Sequence, residues 1–373
     1  MVLEIAARFH LGPSERLVLE TIWRNGAIPR IEIAKRIGLT GPHITRLTKD
    51  LEDRGLVSDT VLRDGARGQP VRPVSIAPGG AYALGVNFSH TFIEAGLVDL
   101  AGNLVTHEKL PLARATPAAV MTTARAALQR QCAKAGIGVE RIVGAGFSVP
   151  GDFRAGSRKL NAHSFFPDLA GVDLAEAIKD EMPVPVFVEN DAASAAVGER
   201  VLGAGRNHKS FVMVHIGHGI GSGLFLDGRL YRGANGNAGM IGILYPTDRP
   251  RPSGQDLFQT LSGAGIDATD FDDLEGLDLE DPTIKNWLRR AGAQLTYGLY
   301  DVSRIFDAEV IVLGGRLPPA MLQGLFDNIN LAASFARDAG LPHPEFSCSR
   351  LGSYAGVVGA SSVCFFATFF DAR

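Results

Sequence analysis

Between Val184 and Gly242 the chain passes from an apolar stretch to a polar pair, then to small residues, then to glycines, and few folds accommodate that succession. Pro183-Val-Pro-Val-Phe-Val188 reads as a strand covered on both faces, Asn190-Asp191 fall where it ends, and Ala192 to Val201 reads as a helix of small residues. Ligands of open α/β sheets bind beyond the carboxyl ends of such strands. Asn190 and Asp191 are therefore candidate ligand-binding residues. A second strand, Phe211-Val-Met-Val-His-Ile216, opens into Gly217-His-Gly-Ile-Gly-Ser-Gly223. Residues without Cβ let backbone amides approach a ligand or phosphate closely, which makes Gly221 a candidate as well. The same glycines suit a tight hairpin with close packing, and their spacing alone does not choose between the two.

At 373 residues the chain is too long for one ordinary core, so two or three domains are expected. Cys132, Cys348 and Cys364 lie far apart without C-x-x-C spacing. That argues against a disulfide framework and against a cysteine-rich zinc site, and it fits a reducing cytoplasm. The first residues lack a secretory apolar region, and the apolar tail from Val357 to Phe370 is shorter than a bilayer span, so it is expected as a buried C-terminal helix and no membrane partner is expected. The net charge of −3 is unevenly placed. Residues 1–80 carry 12 Lys and Arg against 9 Asp and Glu (+3), leaving 25 against 31 (−6) for the remainder. A bias that small barely favours a polyanionic partner.

The order of elements in the first eighty residues says more. Apolar residues recur at helical spacing from Pro13 to Trp23, and Asn25-Gly26 stops that helix. Arg30 to Ile37 is a short helix, Gly38-Leu39 a tight turn, and Thr40 an N-cap for a helix that ends near Gly55 with Pro42 in its first turn. This is the pattern of a helix-turn-helix. With Ile44, Leu47 and Leu51 on one face of the second helix, Thr40, Gly41, His43, Thr45, Arg46 and Lys49 fall on its open side and early turns, where small, polar and basic residues suit a major groove. A hairpin follows, expected from Thr60 to Arg63 and from Pro70 to Ile76, with Asp64-Gly-Ala-Arg-Gly-Gln69 at its tip. Arg63, Arg67, Gln69 and Arg72 would lie along a phosphate backbone or reach a minor groove, so double-stranded DNA is the expected partner.

From Tyr82 the chain changes to strands, with Pro78-Gly79-Gly80 as the expected hinge. A three-strand meander over Leu84–Asn87, Phe92–Val98 and Leu104–His107 is echoed by Phe211–Ile216, Gly221–Leu226 and Arg229–Tyr231, the last pair joined by Asp227-Gly228. Pro117–Lys134 and Leu174–Glu181 read as helices, Ile142–Val149 as a buried strand ending at Pro150-Gly151, and Ile284–Phe306 as a long helix before the strand Val310–Leu313 and Gly314-Gly315. Two such halves facing one another would form a cleft.

Taken together, Phe147-Ser-Val-Pro-Gly151, Val188-Glu-Asn-Asp-Ala-Ala193, Gly217-His-Gly-Ile-Gly221, Leu230-Tyr-Arg-Gly-Ala-Asn-Gly-Asn-Ala-Gly239 and Ile311-Val-Leu-Gly-Gly315 resemble the ROK family of repressors, open reading frames and sugar kinases, in its form with an N-terminal winged helix. The resemblance covers nearly the whole chain. It implies an α/β protein in which the winged helix-turn-helix precedes a two-lobed actin-like, ribonuclease H-like sugar-kinase domain. The implied layout is residues 1–78 for the winged helix, 79–188 with 350–373 for one lobe, and 189–349 for the other. It also implies a sugar between the lobes, with Asp191 at the position of the kinases' base and Gly151, Asn161, Asn190 and Gly221 about the ligand.

The departures from the family pattern bear on activity. Family kinases open their phosphate site with Asp-x-Gly-Gly-Thr, whereas Asn87-Phe-Ser-His-Thr91 stands here, so a metal-organising carboxylate is lost and Ser89 and His90 fill the loop. Phosphoryl transfer depends on positioning phosphates and Mg²⁺. His218 replaces the usual threonine of the second loop. The family's Gly-Glu-x-Gly-His and cysteine cluster read here as Gly239-Met-Ile-Gly-Ile243 and a segment without cysteine, so Met240 and Ile243 remove two polar contacts to a hexose and no thiolate remains for zinc. His215 and His218 are then ordinary strand and loop residues. The expectation is a DNA-binding repressor of carbohydrate-related genes, a homodimer or homotetramer, whose kinase-like domain senses a sugar without ATP, Mg²⁺ or zinc and without catalysis. A working sugar kinase with a fused DNA-binding domain, and a ligand-free scaffold controlled by a protein partner, are the competing expectations.

Overall fold

In the computed structural model, residues 2–59, 72–88, 92–162, 166–246, 248–336 and 340–370 are described. The chain opens with α1 (Val2–Arg8), α2 (Pro13–Asn25), α3 (Arg30–Ile37) and α4 (Gly41–Asp53). Gly38 closes α3 in the left-handed conformation at φ 71°, and its amide donates to the Ala34 carbonyl. That is the turn a glycine permits at little cost. Strands β1 (Val57–Asp59) and β2 (Val74–Ile76) pair antiparallel as the base of the wing. The expected strand Thr60–Arg63 lies outside the described residues, and β2 falls within the expected Pro70–Ile76. The expected wing residues Arg63, Arg67 and Gln69 lie outside the described residues. Arg30 ties the module together: its guanidinium donates to the Thr48 hydroxyl at 2.8 Å and pairs with Asp59 at 2.8 Å.

The stretch expected as a hinge is a pinned turn. Pro78–Gly80 winds as a 3-10 helix, Leu100 N–H donates to the Pro78 carbonyl, and the Arg141 guanidinium donates to the Gly79 carbonyl. Gly80 also lies so close to the Gly55 carbonyl that a Cβ would not fit. There follow β3 (Tyr82–Phe88), β4 (Phe92–Asp99), β5 (Leu104–Pro111), α5 (Pro117–Ala135), β6 (Ile142–Val149), β7 (Gly151–Phe153), β8 (Leu160–Ala162), α6 (Leu174–Ile178) and β9 (Val186–Asn190). Five of these strands form a sheet in the order β5-β4-β3-β6-β9, a meander extended by a parallel β3/β6 pair.

The second half repeats that plan. After α7 (Asp191–Leu202) come β10 (Phe211–Ile216), β11 (Ile220–Leu226), β12 (Arg229–Tyr231), α8 (Gly254–Gly263), α9 (Pro282–Phe306), β13 (Val310–Gly315), α10 (Pro319–Asp327), α11 (Leu331–Phe335) and β14 (Glu345–Cys348). The sheet order β12-β11-β10-β13-β14 is the same succession of meander and parallel extension. Gly221 and Gly223 let α7 lie close on β11, since a side chain on Gly223 would meet Ala196 and the Ala192 carbonyl.

Two compact units result, Met1–Gly151 with Lys159–Glu189 and Val357–Arg373, and Asp152–Arg158 with Asn190–Gly356. The winged helix falls inside the first unit, and the reason is the last helix, α12 (Ala355–Phe365), with its π-helical continuation Phe366–Phe370. From Val357 onward this segment lies on the first sheet, where Gly85, Gly96 and Gly146 leave no room for side chains beneath it. Its aromatic end meets the winged helix: Phe369 packs edge-on to Phe9, and Trp23 contacts Phe365 at 6.0 Å and Phe370 at 4.0 Å between ring centres. Residues 1–78 and the first sheet thus fall within one compact unit. No helix among the described residues is long and apolar enough to cross a membrane.

Candidate functional site

Chemistry-bearing side chains collect first on α4. Burial of Ile44, Leu47 and Leu51 turns Gly41, Thr45, Arg46 and Lys49 to solvent, with His43 partly exposed beside them. Thr40 holds the N-cap position but makes no side-chain cap bond. Its exposed hydroxyl stands at a helix start, where phosphate binds favourably. Arg46 donates to the His43 ring at 3.2 Å and lies 3.9 Å from Asp50, and Lys49 pairs with Asp53 at 2.8 Å and Glu52 at 3.3 Å. The basic residues of α4 expected to meet DNA, Arg46 and Lys49, are therefore both exposed, and both are engaged by acids of their own helix.

The second collection lies in the second unit, at the start of α7. Asn190 is the helix cap: its Oδ1 accepts from Ala192 N–H at 2.9 Å and Ala193 N–H at 3.3 Å. Asp191 is the first helical residue, and its Oδ1 accepts from Ala192 N–H at 2.8 Å. Its Oδ2 is turned the other way, 4.0 Å from Nε2 of His215 on β10. His215 is 8% exposed, and its Nδ1 has no hydrogen-bond partner. Burial pushes the imidazole below its ordinary pKa; Asp191 pulls it upward and the Arg316 guanidinium adds to the lowering. Arg316 itself pairs with Asp270 at 3.4 Å and lies over the Phe271 ring.

Asp152 joins this group. Phe153 beside it is clamped by Asn237, whose Oδ1 accepts from the Phe153 amide at 2.7 Å and whose Nδ2 donates to the Phe153 carbonyl at 2.6 Å. Burial, and then repulsion by Asp191, push the Asp152 carboxyl above its ordinary value. Sequence reasoning missed both Asp152 and the proximity of His215. For Asp152 a signal existed: it follows Pro150-Gly151 at the end of a buried strand, the same placement that singled out Asp191. Gly151 precedes it at φ 122°, a conformation that favours glycine. Asn161 is exposed on β8, in the first unit.

The glycine loop after β10 takes a form that sequence spacing left open. The Gly217 amide donates to the Gly219 carbonyl at 3.0 Å, and the carbonyls of Gly217 and His218 accept from Gly254 and Gln255 at the start of α8, at 2.8 and 2.9 Å. The first amides of α8 are thereby satisfied by the loop itself, and His218 packs on Phe258 and Phe271. Gly221 contributes room for α7. In the first unit Asn87 is buried and donates to the Glu94 carboxylate at 3.5 Å; Ser89 and His90 lie outside the described residues. Met240 and Ile243 are exposed, while Tyr245 is buried against Gly298 and the Arg251 guanidinium donates to the Gly242 carbonyl at 2.7 Å. A separate cavity of about 530 Å³ opens at the ends of β13 and β14, where Ser349 and Arg350 line it beside the stacked Phe326 and Phe346.

A winged helix followed by two sheets of the same strand order defines the class: a DNA-binding regulator built on an actin-like sugar-kinase fold. The chain belongs to the ROK family, whose model matches residues 83–365; the MarR family model matches residues 11–60. Uncharacterized protein y4fQ of Sinorhizobium fredii is 41% identical over 96% of this chain and 92% of its own. The xylose repressor of Bacillus subtilis is 24% identical over 94% of each chain. Among solved structures, a ROK family transcriptional regulator homologous to the Escherichia coli MLC protein superposes with a TM-score of 0.71 over 98% of this chain and 97% of that one, at 20% identity. A ROK family glucokinase from Streptomyces griseus, in complex with glucose and AMPPNP, superposes with a TM-score of 0.62 over 76% of this chain and 99% of that one, at 24% identity.

Proposed function

We propose that this protein acts in the cytoplasm as a repressor of carbohydrate-related genes, binding a DNA operator through α4 and a small hydroxylated effector at Asp191, without phosphoryl transfer. The observation that carries the reading is the outward face of α4, where Thr40, Thr45, Arg46 and Lys49 present hydrogen-bonding and cationic groups at a helix start. Such a helix reads base edges with its first turns while basic side chains hold phosphates. A recognition helix of this kind works in two-fold pairs on palindromic sites, which supports a homodimer or a pair of dimers.

Two features support a sensor rather than a kinase. Asn87 is a neutral amide committed to Glu94, which is a poor donor set for the Mg²⁺ that phosphoryl transfer requires. The loop Gly217–Gly219 spends its carbonyls on α8, so the amides at that helix start are not offered to a phosphate. In the segment after Gly239 the Arg251 guanidinium donates to the Gly242 carbonyl and the Tyr245 phenol is buried, groups other than the thiolates and imidazoles zinc prefers, which supports a segment without zinc. An effector can move the protein off DNA only through different affinities for the bound and free conformations. Selection of bound fragments from the source genome, combined with a coupled ATP-consumption assay over a sugar panel, tests the reading. Specific fragments without ATP turnover are expected, and robust turnover with any sugar would overturn it.

A further inference from the structure

We infer that the cavity at the ends of β13 and β14 is a second effector site, distinct from the one at Asp191, and that it takes a small organic carboxylate with a flat apolar body. Its volume of about 530 Å³ is that of a small-molecule pocket, for which ~300–1,000 Å³ is usual.

One part of the lining is apolar and aromatic. Pro319, Leu322 and Phe326 recur at three- and four-residue spacing, so a single face of α10 forms a wall. Strand β14 adds Phe346, whose ring stacks on that of Phe326 with centres 4.3 Å apart and planes 10° from parallel. Neither ring is fully buried, so the pair leaves aromatic surface in the cavity for a planar ligand.

Most polar side chains of the lining are already committed. Gln323 donates to the Asp327 carboxylate at 2.7 Å, the Ser349 hydroxyl donates to Glu199, and the Ser347 hydroxyl faces the Cys348 carbonyl at 3.5 Å. The hydroxyls of a hexose would lose water here and find few side chains to replace it. Arg350 differs from these. It is the only charged residue of the lining, it is exposed, and it makes no hydrogen bond or ion pair among the described residues. A guanidinium presents a fork of donors that matches the two oxygens of a carboxylate. One such cation beside an aromatic wall selects an anionic group on an apolar body.

The same cavity touches the helix that reaches the DNA-binding module. Gly352 and Ala355 belong to its lining, and Ala355 is the first residue of α12. Phe365 at the other end of that helix packs against Trp23. A ligand that favours one placement of the start of α12 therefore biases what its end holds, and operator affinity changes with it.

The test uses the full-length protein at pH 7 and four probes: 2-naphthoate, 2-naphthylmethanol with the same rings and no charge, acetate with the charge and no rings, and adenosine monophosphate. Calorimetric titration gives each affinity. 2-Naphthoate is expected to bind at least about tenfold more tightly than the alcohol or acetate, as one charge-assisted bond and one buried ring system imply. Arg350→Gln should bring it down to the level of the alcohol, with an unchanged melting temperature. Saturating 2-naphthoate should shift the affinity of the wild-type protein for a selected operator fragment by at least about fivefold, the lower end of ordinary coupling between sites. The inference is overturned by an alcohol or acetate that binds as tightly, by an Arg350→Gln variant that keeps the advantage of the charge, or by adenosine monophosphate binding in preference to 2-naphthoate. Failure of every probe to bind, or binding that leaves operator affinity unchanged, overturns it as well. None of these outcomes bears on the Asp191 site or on α4.

Discussion

Removing the indole of Trp23 should detach the winged helix from the C-terminal segment that holds it. Trp23 is 5% exposed and lies between Phe365 and Phe370, so Trp23→Ala loses a large buried ring with little means of collapse around the gap, a change that costs about 3–5 kcal/mol. Trp23→Phe is the informative partner. The indole Nε1–H is buried without a hydrogen-bond partner, a situation that already costs about 1–3 kcal/mol. Phenylalanine removes that donor while keeping an aromatic face against Phe365 and Phe370, so the lost area and the relieved donor should offset to within about 1 kcal/mol. Urea unfolding followed by far-UV circular dichroism measures both. At a slope of about 3 kcal/mol per molar urea, the alanine variant should lower the first transition by about 1 M and the phenylalanine variant by a small fraction of that. The helix-turn-helix core of Val18, Ile22, Ile44, Leu47 and Leu51 is untouched in either variant, so folded protein should still bind operator in the cold. An alanine variant that loses less than about 1 kcal/mol, or a phenylalanine variant as damaged as the alanine one, would refute the reasoning.

Other expectations follow from equally local features. Glu199 is fully buried on α7, accepting from Ala204 N–H at 2.7 Å and from the Ser349 hydroxyl, and burial raises its pKa against the opposing effect of those bonds. The folded state then binds the proton more tightly than the unfolded chain, so this residue's contribution to stability falls as pH rises from the ordinary carboxylate range through the raised value. Glu199→Gln should remove that slope and be neutral or stabilising at pH 7; a variant that keeps the slope, or loses more than about 2 kcal/mol at pH 7, would show that the charge itself is needed. In operator titrations, Lys49→Ala should lower the slope of log affinity against log salt by about 1 without altering base preference, whereas Arg46→Ala should cost about 1–3 kcal/mol and relax preference at one position. Unchanged binding in both would remove α4 from the interface. Elemental analysis of purified protein should find no stoichiometric zinc, and one zinc per chain would show that donors outside the segment after Gly239 form a site.

The elements governed by local rules could be read directly. Gly38 and the apolar spacing of Ile44, Leu47 and Leu51 located the helix-turn-helix, and the two meanders declared themselves by alternation and by Asp227-Gly228. Strand β14 and helix α11 span only four and five residues, so no period had room to show. The site was legible only in part, because Asp191 sits where a strand-end argument places it, while the approach of His215 and Asp152 is set by how β10 and β7 are carried in space. Asn190 proved to be the cap of α7 as well as a candidate ligand residue, since its amide oxygen reaches two backbone amides at once. At the expected hinge, Pro78-Gly79-Gly80, the structure has a hydrogen-bonded turn. Proline and glycine announce a change of direction, but not the Arg141 side chain that arrives from sixty residues away to hold it.

The first unit is closed by a helix that the ribosome makes only after the whole of the second unit. The winged helix and the first sheet emerge early, and domains begin folding as they emerge. Yet the glycine-lined groove over Gly85, Gly96 and Gly146, and the aromatic seat beside Trp23, stay empty until Val357 and the residues beyond it arrive. A chain cut short before that point would leave the sheet face over Gly85, Gly96 and Gly146 bare and the indole of Trp23 without its aromatic partners.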